Sequence, residues 1–488
     1  MPTLYDTVPY PTLPSPYTHP DTPATLGRLH GMPVAPVERC RVLEVGCGDG
    51  GNLIPMAHDL PGSTFVGIDL AERPIAHGRD RAAALGLHNL TLMALDLRQT
   101  PADLGAFDYI IAHGVYAWVP ADVREGLLAL IRRHLAPHGL ALVSYALYPG
   151  AYLFRMLREM MLFHVRGIED PLHRAAQARA LLHLLHDAQA EDTAYARVIA
   201  EKLKRFSTVP DEYLTHDILN EHYAPCTFLD FVEHARAHDL RYLADADYFS
   251  MHPGGLPGAV RTPLQALEET PLLLEQYLDF MRGRSFRRSL LCHPEAAVQT
   301  PHPAAMDALY FAAPVEATPV GVGTPPEAVA TLRGLRGHSI QTGHALTQAV
   351  ARYLGDQWPR RVPFGELLDV ARPHHDDAGT SADALLRVLL LGLYRDGFLE
   401  AHTCAPPLTL TPGDRPEASR VARHAAEASA VVPNLHHQPV TLDEDEWDLL
   451  PYLDGSRDRA ALEAATGFTP DEQDALLARL ARQALLLA

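Results

Sequence analysis

The sequence predicts an α/β protein whose first half forms a doubly wound, Rossmann-like sheet. Short β-rich runs alternate with longer helical runs from Cys40 to Tyr145, and the first β-rich run ends in a glycine cluster that opens into a helix. Such alternation is typical of βαβ units and a parallel sheet. In a sheet of this kind, ligands bind at the carboxyl ends of the strands.

Five strands of this sheet are predicted from short apolar runs bounded by turn residues. They cover 41–46, 64–70, 90–96, 107–112 and 139–145, and helices are expected near 51–59, 73–85 and 121–135. A helix over 227–238 and a strand over 240–244 are typical of a late αβ unit of the same sheet. Residues 146–226 are almost wholly helical by periodicity, which indicates a helical insertion that extends the site or forms a dimer surface.

The chain is too long, at 488 residues, for one hydrophobic core. The predicted units are an N-terminal segment (1–39), the sheet domain (40–250), a mostly helical middle domain (251–327) and a helical C-terminal domain (328–488). Residues 312–327 are rich in Pro, Gly and Thr, which indicates a linker or irregular strands. Helices are predicted at 346–354, 364–371 and 382–396, and Gly397 to Glu400 after them resembles the wing of a winged helix. A further helical series closes the chain at 443–487.

The composition excludes several function classes. The formal net charge is −19, from 41 basic and 60 acidic residues, which argues against broad attraction to nucleic acid or anionic lipid. No apolar run approaches the roughly 18 residues that a membrane helix needs, and the first residues do not resemble a secretion signal. The five cysteines have no C-x-x-C spacing, so we expect reduced thiols in a cytoplasmic protein.

The glycine cluster after the first strand predicts a nucleoside-binding turn. Glycines between a strand and a helix let the backbone approach a ligand closely and present free N–H groups. The spacing of Gly46, Gly48 and Gly51 also satisfies G-x-G-x-x-G, so a nicotinamide or flavin dinucleotide is the alternative ligand at this point. The residues of this turn that we expect to line the pocket are Gly46, Cys47, Gly48, Gly50 and Asn52.

Three carboxylates on successive strands favour S-adenosylmethionine over a dinucleotide. Glu44 lies inside the first strand, where it can compensate the positive charge of a sulfonium and an α-ammonium group. Asp69 ends the second strand, where a carboxylate can accept both ribose hydroxyls, and Asp96 ends the third, where it can accept the adenine amino group. The neighbouring Leu70 and Leu97 are expected to line the same pocket. The pattern predicts a methyltransferase that releases S-adenosyl-L-homocysteine.

The acceptor side of the site is predicted at the ends of the fourth and fifth strands. His113 and Tyr116 follow the fourth strand, where they can orient an amine, stabilise the sulfonium by cation–π contact or accept a proton. Alternatively, Tyr116 and Trp118 only cover the cofactor. Tyr145 and Tyr148 flank the acceptor side after the fifth strand. Methyl transfer is an in-line displacement that needs positioning more than a strong base, so no base is assigned.

No metal is expected. No H-E-x-x-H or H-x-x-x-H pattern lies at a predicted ligand-binding position, although the chain has 27 histidines. The best cluster is His374-His375-Asp376-Asp377, in a polar run that is more typical of a solvated surface.

Longer motifs extend the match beyond the cofactor turn. Among them are Glu44-Val45-Gly46-Cys47-Gly48-Asp49-Gly50, His113-Gly114-Val115-Tyr116-Ala117-Trp118 and the runs at 5–11, 18–20, 158–161, 277–280, 286–292 and 449–455. These motifs resemble one bacterial group, the class I methyltransferases with a methyltransferase regulatory domain, which includes the rickettsial-type protein lysine methyltransferases.

The resemblance implies an inserted helical dimerisation segment, a middle regulatory domain and a C-terminal winged-helix-like domain. Members of the group methylate lysine side chains of outer-membrane proteins and work as homodimers. The resemblance also implies that the N-terminal tract forms a lid, with Tyr5, Tyr10, Thr18 and His19 at the cofactor. The alternative is a disordered proline-rich tail.

The chain departs from the family pattern after the fifth strand. The group usually has Ser-Tyr-Asn-Thr-Tyr-Pro-Gly there, whereas Ala146 and Leu147 replace the amide and the hydroxyl in this chain. That change removes hydrogen-bonding capacity that an amine acceptor could use. Protein lysine is the leading hypothesis for the acceptor, a small molecule is the alternative, and a cofactor-sensing protein without activity is a third hypothesis.

Overall fold

The computed structural model describes residues 3–267, 269–319, 329–375 and 379–488. Its first half is built on a seven-stranded sheet of order β3-β2-β1-β4-β5-β7-β6. The strands are β1 (Arg41–Val45), β2 (Thr64–Asp69), β3 (Leu90–Ala94), β4 (Phe107–Ala112), β5 (Leu135–Ala146), β6 (Arg241–Asp245) and β7 (Phe286–Cys292). The predicted doubly wound sheet is confirmed, with strand ends shifted by a few residues.

The parallel part of the sheet has β1 at its centre. β1 pairs in parallel with β2 on one side and β4 on the other, and Glu44 lies opposite Gly67 and Ile111. Val42 and Leu43 are both fully buried, because successive side chains point to opposite faces and helices cover both. The strand therefore carries its acidic residue into a buried setting.

Strand β7 extends the sheet past residue 250, so the predicted end of the sheet domain is too early. It runs antiparallel to both β5 and β6. Its apolar pattern is interrupted by Arg287, which is fully buried and donates to Glu275 at 2.8 Å and to Asp279 at 2.9 Å. Because these carboxylates compensate the buried guanidinium, an arginine is accommodated inside a strand.

Helices cover both faces of the sheet and extend into an insertion. The helices of this half are α1 (Leu4–Thr7), α2 (Asp21–Leu29), α3 (Leu53–Asp59), α4 (Glu72–Ala84), α5 (Ala121–His134), α6 (Ala151–His164), α7 (Pro171–Asp187), α8 (Ala194–Phe206), α9 (Asp211–Tyr213), α10 (Phe228–Ala237), α11 (Gly258–Gln265) and α12 (Pro271–Arg282). One π-helical turn, Leu214–Ile218, follows α9 directly.

The insertion has an apolar core of its own. Leu157 and Met161 of α6, Leu182 of α7 and Ile199 of α8 pack against one another there. Its outer side leaves Tyr152 and Phe163 largely exposed, beside a groove of about 800 Å³ between α6 and α7. The helices predicted from the sequence for 151–206 are present.

The second half consists of short helices and small antiparallel sheets. Its strands are β8 (Tyr310–Ala312), β9 (Glu316–Pro319), β10 (Ala330–Arg333), β11 (Ser339–Thr342), β12 (Val362–Pro363), β13 (Glu400–His402), β14 (Val431–Pro433) and β15 (Pro439–Thr441). Its helices are α13 (Ala345–Gln357), α14 (Phe364–Ala371), α15 (Ala382–Arg395), α16 (Arg420–Ala426), α17 (Glu444–Leu449), α18 (Arg459–Thr466) and α19 (Pro470–Arg482).

Several predictions for this half can be compared with the structure. Glu400, expected in a wing, begins β13, which pairs with β8. The expected linker at 312–327 contains strand β9, whereas 320–327 lie outside the described residues, as do Asp376 and Asp377 of the histidine-aspartate cluster. Within the described ranges, no helix combines the length and apolar character that crossing a bilayer requires.

A buried carboxylate joins the N-terminal segment to the second half. Asp21, at the start of α2, accepts hydrogen bonds from His402 at 2.6 Å, from Arg361 at 3.1 Å and from the backbone and hydroxyl of Thr403. Burial alone would raise the pKa of the Asp21 carboxyl, but Arg361 and His402 lower it well below its ordinary value. The ionised carboxylate therefore stabilises this junction.

We predict that Asp21→Asn lowers the free energy of unfolding by about 3 kcal/mol at pH 7, because it leaves buried cationic donors without their carboxylate. The folded-state pKa of Asp21 is lowered, so its stabilisation is present above pH ~4 and is lost as the pH falls. The gap between wild type and variant should therefore shrink on acidification. Urea denaturation at pH 7 and at about pH 2.5, well below the ordinary aspartate pKa, measures both effects. The exposed Asp187→Asn is the control. An equal loss at both pH values would contradict the assignment.

Candidate active site

The glycine turn between β1 and α3 forms the floor of the site. Gly46, Gly48 and Gly50 have positive φ angles of 75°, 55° and 74°, which favour glycine. The backbone N–H groups of Gly46 and Cys47 donate to Ile68, which fixes the turn against β2. A Cβ on Gly46 would meet Val115 at 2.7 Å, so the turn has no room for a side chain there.

Cys47 contributes through its backbone alone. Its side chain is 2% exposed and faces β2, where a Cβ on Gly67 would meet its Sγ at 2.7 Å. Burial raises the pKa of the Cys47 thiol well above its ordinary value, so the thiol stays neutral. This residue, predicted to line the cofactor pocket, can therefore present only its main chain.

Glu44 places a buried carboxylate beneath this turn. The side chain is 5% exposed, and its Oε1 accepts a hydrogen bond from Asn52 Nδ2 at 2.8 Å. Its Oε2 has no hydrogen-bond partner in the part of the chain that the structure describes. Burial raises the pKa of Glu44 to about 8. A buried carboxylate oxygen without a partner is a ready acceptor for a cationic group of a ligand.

Asp69 lies at the end of β2 beside the same turn. Its two oxygens accept hydrogen bonds from the backbone of Gly48 and Ala71, both at 2.9 Å. Burial raises its pKa, and these backbone hydrogen bonds partly oppose the shift. The carboxylate is thus held rigidly while each oxygen keeps a lone pair for a ribose hydroxyl. The adjacent Leu70 is largely exposed.

Asp96 follows β3 and is engaged by its own neighbour. Arg98 forms a salt bridge with the Asp96 carboxylate at 2.6 Å, and its side-chain hydrogen bonds lower the pKa of that group. Leu97 between them is half-buried and packs towards the sheet. An adenine amino group would share the Asp96 carboxylate with Arg98.

The N-terminal segment runs over the glycine turn. Thr12 lies against Gly48 and accepts a hydrogen bond from the Gly51 backbone at 3.0 Å. Thr18 donates to the Asn52 side-chain oxygen at 2.9 Å, so the segment also contacts the residue that holds Glu44. The segment in which the family resemblance implies a lid is therefore ordered, and the alternative of a disordered tail is not supported.

Aromatic side chains connect this lid to the π-helical turn. The Tyr5 ring stacks on His216 with centroids 4.2 Å apart, and Tyr10 contacts Tyr213 edge to face at 5.0 Å. Tyr10 also donates to Asp217 at 3.5 Å. Burial raises the pKa of Asp217 to about 6. This cluster was not predicted from the sequence, because its two halves are about two hundred residues apart in the chain.

His113, directly after β4, is half-buried beside cationic and aromatic side chains. Burial, with a smaller contribution from Arg288, lowers the pKa of His113 to about 4, so the ring is neutral. Its Nδ1 lacks a partner among the described residues, and Phe286 packs edge-on against it at 5.9 Å. A neutral imidazole with a free nitrogen can accept a hydrogen bond from an amine.

The three tyrosines predicted on the acceptor side are placed differently. Tyr145 is 1% exposed, stacks on Phe231 at 4.0 Å and hydrogen-bonds Ser289, so it belongs to the core. Tyr116 is also buried, and its hydroxyl is 2.6 Å from His234 Nδ1. Tyr148 lies at the start of the insertion, where its hydroxyl accepts a hydrogen bond from Arg155.

A histidine from the C-terminal region contacts Asn52, the residue that holds Glu44. His437, in the tight turn between β14 and β15, has a φ of 57° and is 2.7 Å from the Asn52 side-chain oxygen. His19 of the lid lies beside it, with ring centroids 5.3 Å apart. Burial lowers the pKa of His19 to about 4 and that of His437 well below its ordinary value. Both rings are neutral, so His437 can donate its Nε2–H to Asn52.

The sheet and the site together define a class of protein, the S-adenosylmethionine-dependent methyltransferases. Residues 42–139 match the family model for a methyltransferase domain. Residues 210–293 match the predicted methyltransferase regulatory domain, and 414–469 match the C-terminal winged helix domain of the PKMT proteins.

Whole-length similarities give the particular family. The chain is 31% identical over 474 residues to the uncharacterized protein RP789 of Rickettsia prowazekii, covering 94% of this chain and 84% of that one. The structure of PKMT2 from Rickettsia typhi in complex with AdoHcy superposes with a TM-score of 0.86 at 26% identity, covering 98% of this chain and 100% of that one. The chain therefore belongs to the rickettsial-type protein lysine methyltransferase family.

The residues present fit the S-adenosylmethionine that this family uses. The unpartnered Glu44 oxygen and the open glycine turn offer the charge and the space that the amino acid end requires. A pyrophosphate would bring negative charge against the same carboxylate, so the dinucleotide alternative is disfavoured.

We predict that Glu44→Gln weakens S-adenosylmethionine binding about 10- to 100-fold, because a hydrogen bond to a charged group contributes about 1.5–3 kcal/mol. The amide still accepts from Asn52, so the turn itself should be retained. Isothermal titration at pH 8.5 measures the affinity. Unchanged affinity would mean that Glu44 does not face the bound cofactor.

The same variant has a second, opposite effect on the ligand-free protein. Folding raises the pKa of Glu44 from 4.5 to about 8, so stability falls as the pH rises between these two values and is level above about pH 8. Glu44→Gln removes this loss. The Tm of the variant relative to that of the wild type should therefore rise between about pH 5 and pH 8 and stay constant at higher pH, which differential scanning calorimetry tests.

We also predict that His437→Ala weakens S-adenosylmethionine binding about fivefold, the effect of one neutral hydrogen bond of about 1 kcal/mol. His437→Gln keeps an N–H donor at the same place and should retain most of the affinity. His424→Ala, at a half-exposed position of the same region, is the matched control. Equal affinities of the wild type and all three variants would show that the turn between β14 and β15 does not contribute to S-adenosylmethionine binding.

Proposed function

We propose that the enzyme methylates the side-chain nitrogen of lysine residues in proteins. The observation that carries the proposal is the match to PKMT2 of Rickettsia typhi over 98% of this chain, winged helix included. A likeness that extends through every part of the chain supports a shared class of acceptor more strongly than a likeness of the cofactor domain alone.

The charges and rings near the lid support a cationic acceptor. The chain carries a net charge of −19, which favours the approach of an ammonium group. Tyr10 and Tyr213 lie beside the Asp217 carboxylate, a combination of π faces and negative charge that attracts an alkylammonium ion. Asp217, with a pKa of about 6, can also accept the proton that the amine must lose before it reacts.

We assign the cofactor contacts to the first three strand ends. Glu44 would accept the α-ammonium group, the backbone of the glycine turn would contact the amino acid moiety, and Asp69 would accept the ribose hydroxyls. Asp96 would accept the adenine amino group. The bound cofactor supplies an electrophilic methyl group, which the acceptor nitrogen takes as S-adenosyl-L-homocysteine leaves.

Two further groups would act on the acceptor. The neutral His113, with its free Nδ1, can accept a hydrogen bond from the amine and so orient its lone pair. Arg288, whose guanidinium lies 4.1 Å over the Tyr17 ring, adds positive charge that lowers the pKa of a nearby amine. The lid excludes water from the same space. Positioning and deprotonation of the amine are the main requirements of this reaction.

We further propose that the enzyme is a cytoplasmic homodimer. The five free cysteines favour a reducing compartment. Tyr152 and Phe163, which are 60% and 63% exposed on the insertion, form an apolar surface that a second copy would cover. The division into lid, cofactor, regulatory and winged-helix units belongs to the same proposal, with the sheet domain now extended to Cys292.

We predict that incubation with methyl-labelled S-adenosylmethionine and a bacterial lysate labels protein, and that mass spectrometry places the mass increase on lysine. Peptides that carry the modified sequence should accept methyl groups, and the same peptides with arginine for lysine should not. Asp69→Ala should abolish both cofactor binding and labelling, because it removes the ribose contact.

Other results of the labelling experiment would support one of the alternative functions. Label in the small-molecule fraction would replace the protein acceptor with a metabolite. Saturable cofactor binding without label in either fraction would support a cofactor-sensing protein. Retained affinity in Asp69→Ala would show that the cofactor contacts are assigned incorrectly.

A further inference from the structure

Two histidines and one glutamate form a cluster on the outer side of the sheet domain. Glu125 on α5 lies between His234 of α10 and His238 just after that helix. Its Oε1 is 3.0 Å from His234 Nε2, and its Oε2 is 2.8 Å from His238 Nε2. One ligand atom from each of the three residues lies within 4.8 Å of the others.

The chemistry of this set matches a divalent transition metal. Two imidazole nitrogens and one carboxylate are a ligand combination that zinc uses, with bonds of about 2.0–2.2 Å and a fourth position for water. Histidines four residues apart lie on one side of a helix, so both can reach one ion. The last turn of a helix also favours a positive charge.

The access and mobility of the ligands also fit. The Glu125 side chain is 59% exposed and those of His234 and His238 are 23% and 19% exposed, so an ion can enter from solvent. Ligand atoms around a tetrahedral ion lie about 3.3 Å apart, because each bond is about 2 Å long. The Glu125 oxygens, now 3.0 and 2.8 Å from the two histidine nitrogens, would have to move outward by a few tenths of an ångström. The two histidine nitrogens, within 4.8 Å of each other, would have to come to about the same separation.

The second nitrogen of His234 is already held by a hydrogen bond. His234 Nδ1 is 2.6 Å from the Tyr116 hydroxyl, and metal-bound histidines almost always donate their other N–H to such a partner. Tyr116 lies in the turn that follows His113. An ion at this cluster would thus connect α5 and α10 to the loop beside the acceptor site.

We propose that Glu125, His234 and His238 bind one zinc ion, which holds the Tyr116 turn in place. When zinc occupies Nε2, His234 must carry its proton on Nδ1 and donate it to the Tyr116 oxygen. Without zinc, Nε2 donates to Glu125 and Nδ1 accepts from Tyr116. The two states therefore differ in the tautomer of His234. This proposal does not depend on the acceptor being lysine.

The test is a zinc chloride titration of the full chain after removal of metals with a chelator. We expect the wild type to bind one equivalent with Kd below about 1 μM. Glu125→Gln, at an exposed position that should not disturb folding, and His238→Gln should each lose that equivalent or bind at least about 10-fold more weakly. His186→Gln, at a surface histidine of the insertion, is the control for zinc bound elsewhere on this histidine-rich chain.

Two further measurements distinguish a built site from surface binding. Zinc should raise the Tm of the wild type but not that of Glu125→Gln, because only the folded site binds the ion. Nitrogen chemical shifts of His234 should change from the Nε2–H to the Nδ1–H tautomer on titration. Equal stoichiometry and affinity in the wild type and both ligand variants would overturn the proposal, as would an unchanged tautomer at saturation.

Discussion

The buried carboxylate of Glu44 is the constraint on which the rest of the site depends. Removing a carboxylate from water is costly unless it is neutralised or hydrogen-bonded. The protein meets this cost only partly, through Asn52 on one oxygen, and leaves the other oxygen free. The ligand-free protein therefore holds a group that can accept a cation. Burial contributes more to the raised pKa of Glu44 than the nearby negative charges do.

Asn52 links the Glu44 carboxylate to distant parts of the chain by hydrogen bonds. While its amide nitrogen donates to Glu44, its oxygen accepts from Thr18 in the lid and from His437 in the C-terminal hairpin. The Asn52 side chain thus contacts both the N-terminal segment and the C-terminal region. The Asp21 junction adds a second buried connection between the same two regions. A displacement of the second half would therefore be transmitted through these contacts to Asn52 and Glu44.

The sequence predicted the parts of the site that depend on local pattern. Glu44, Asp69 and the glycine turn follow from strand ends, which apolar runs and turn residues mark clearly. Strand β7 was missed because Arg287 interrupts its apolar pattern, and its compensating carboxylates come from a helix before it. His437 and Asp217 could not be predicted, because their contacts join residues hundreds of positions apart. The pair His234 and His238 was visible in the sequence, but Glu125 is supplied by another helix.

The burial of Tyr145 in the core could have been predicted from the alternation of side chains along a strand. Side chains alternate along a strand, so Tyr145 and Ser144 must face opposite sides of the sheet. Ser144 accepts a hydrogen bond from the Gly114 backbone beside the site, and Tyr145 packs on α10 in the core. Ala146 and Leu147, where the family usually has polar residues, are also buried.

Since the fifth strand contributes few polar groups to the acceptor side, acceptor recognition must rely more on the lid, the insertion and the loop at His113. These segments differ in length and sequence more readily than strands do. The choice of acceptor is therefore encoded in the elements around the sheet, while the sheet encodes the cofactor.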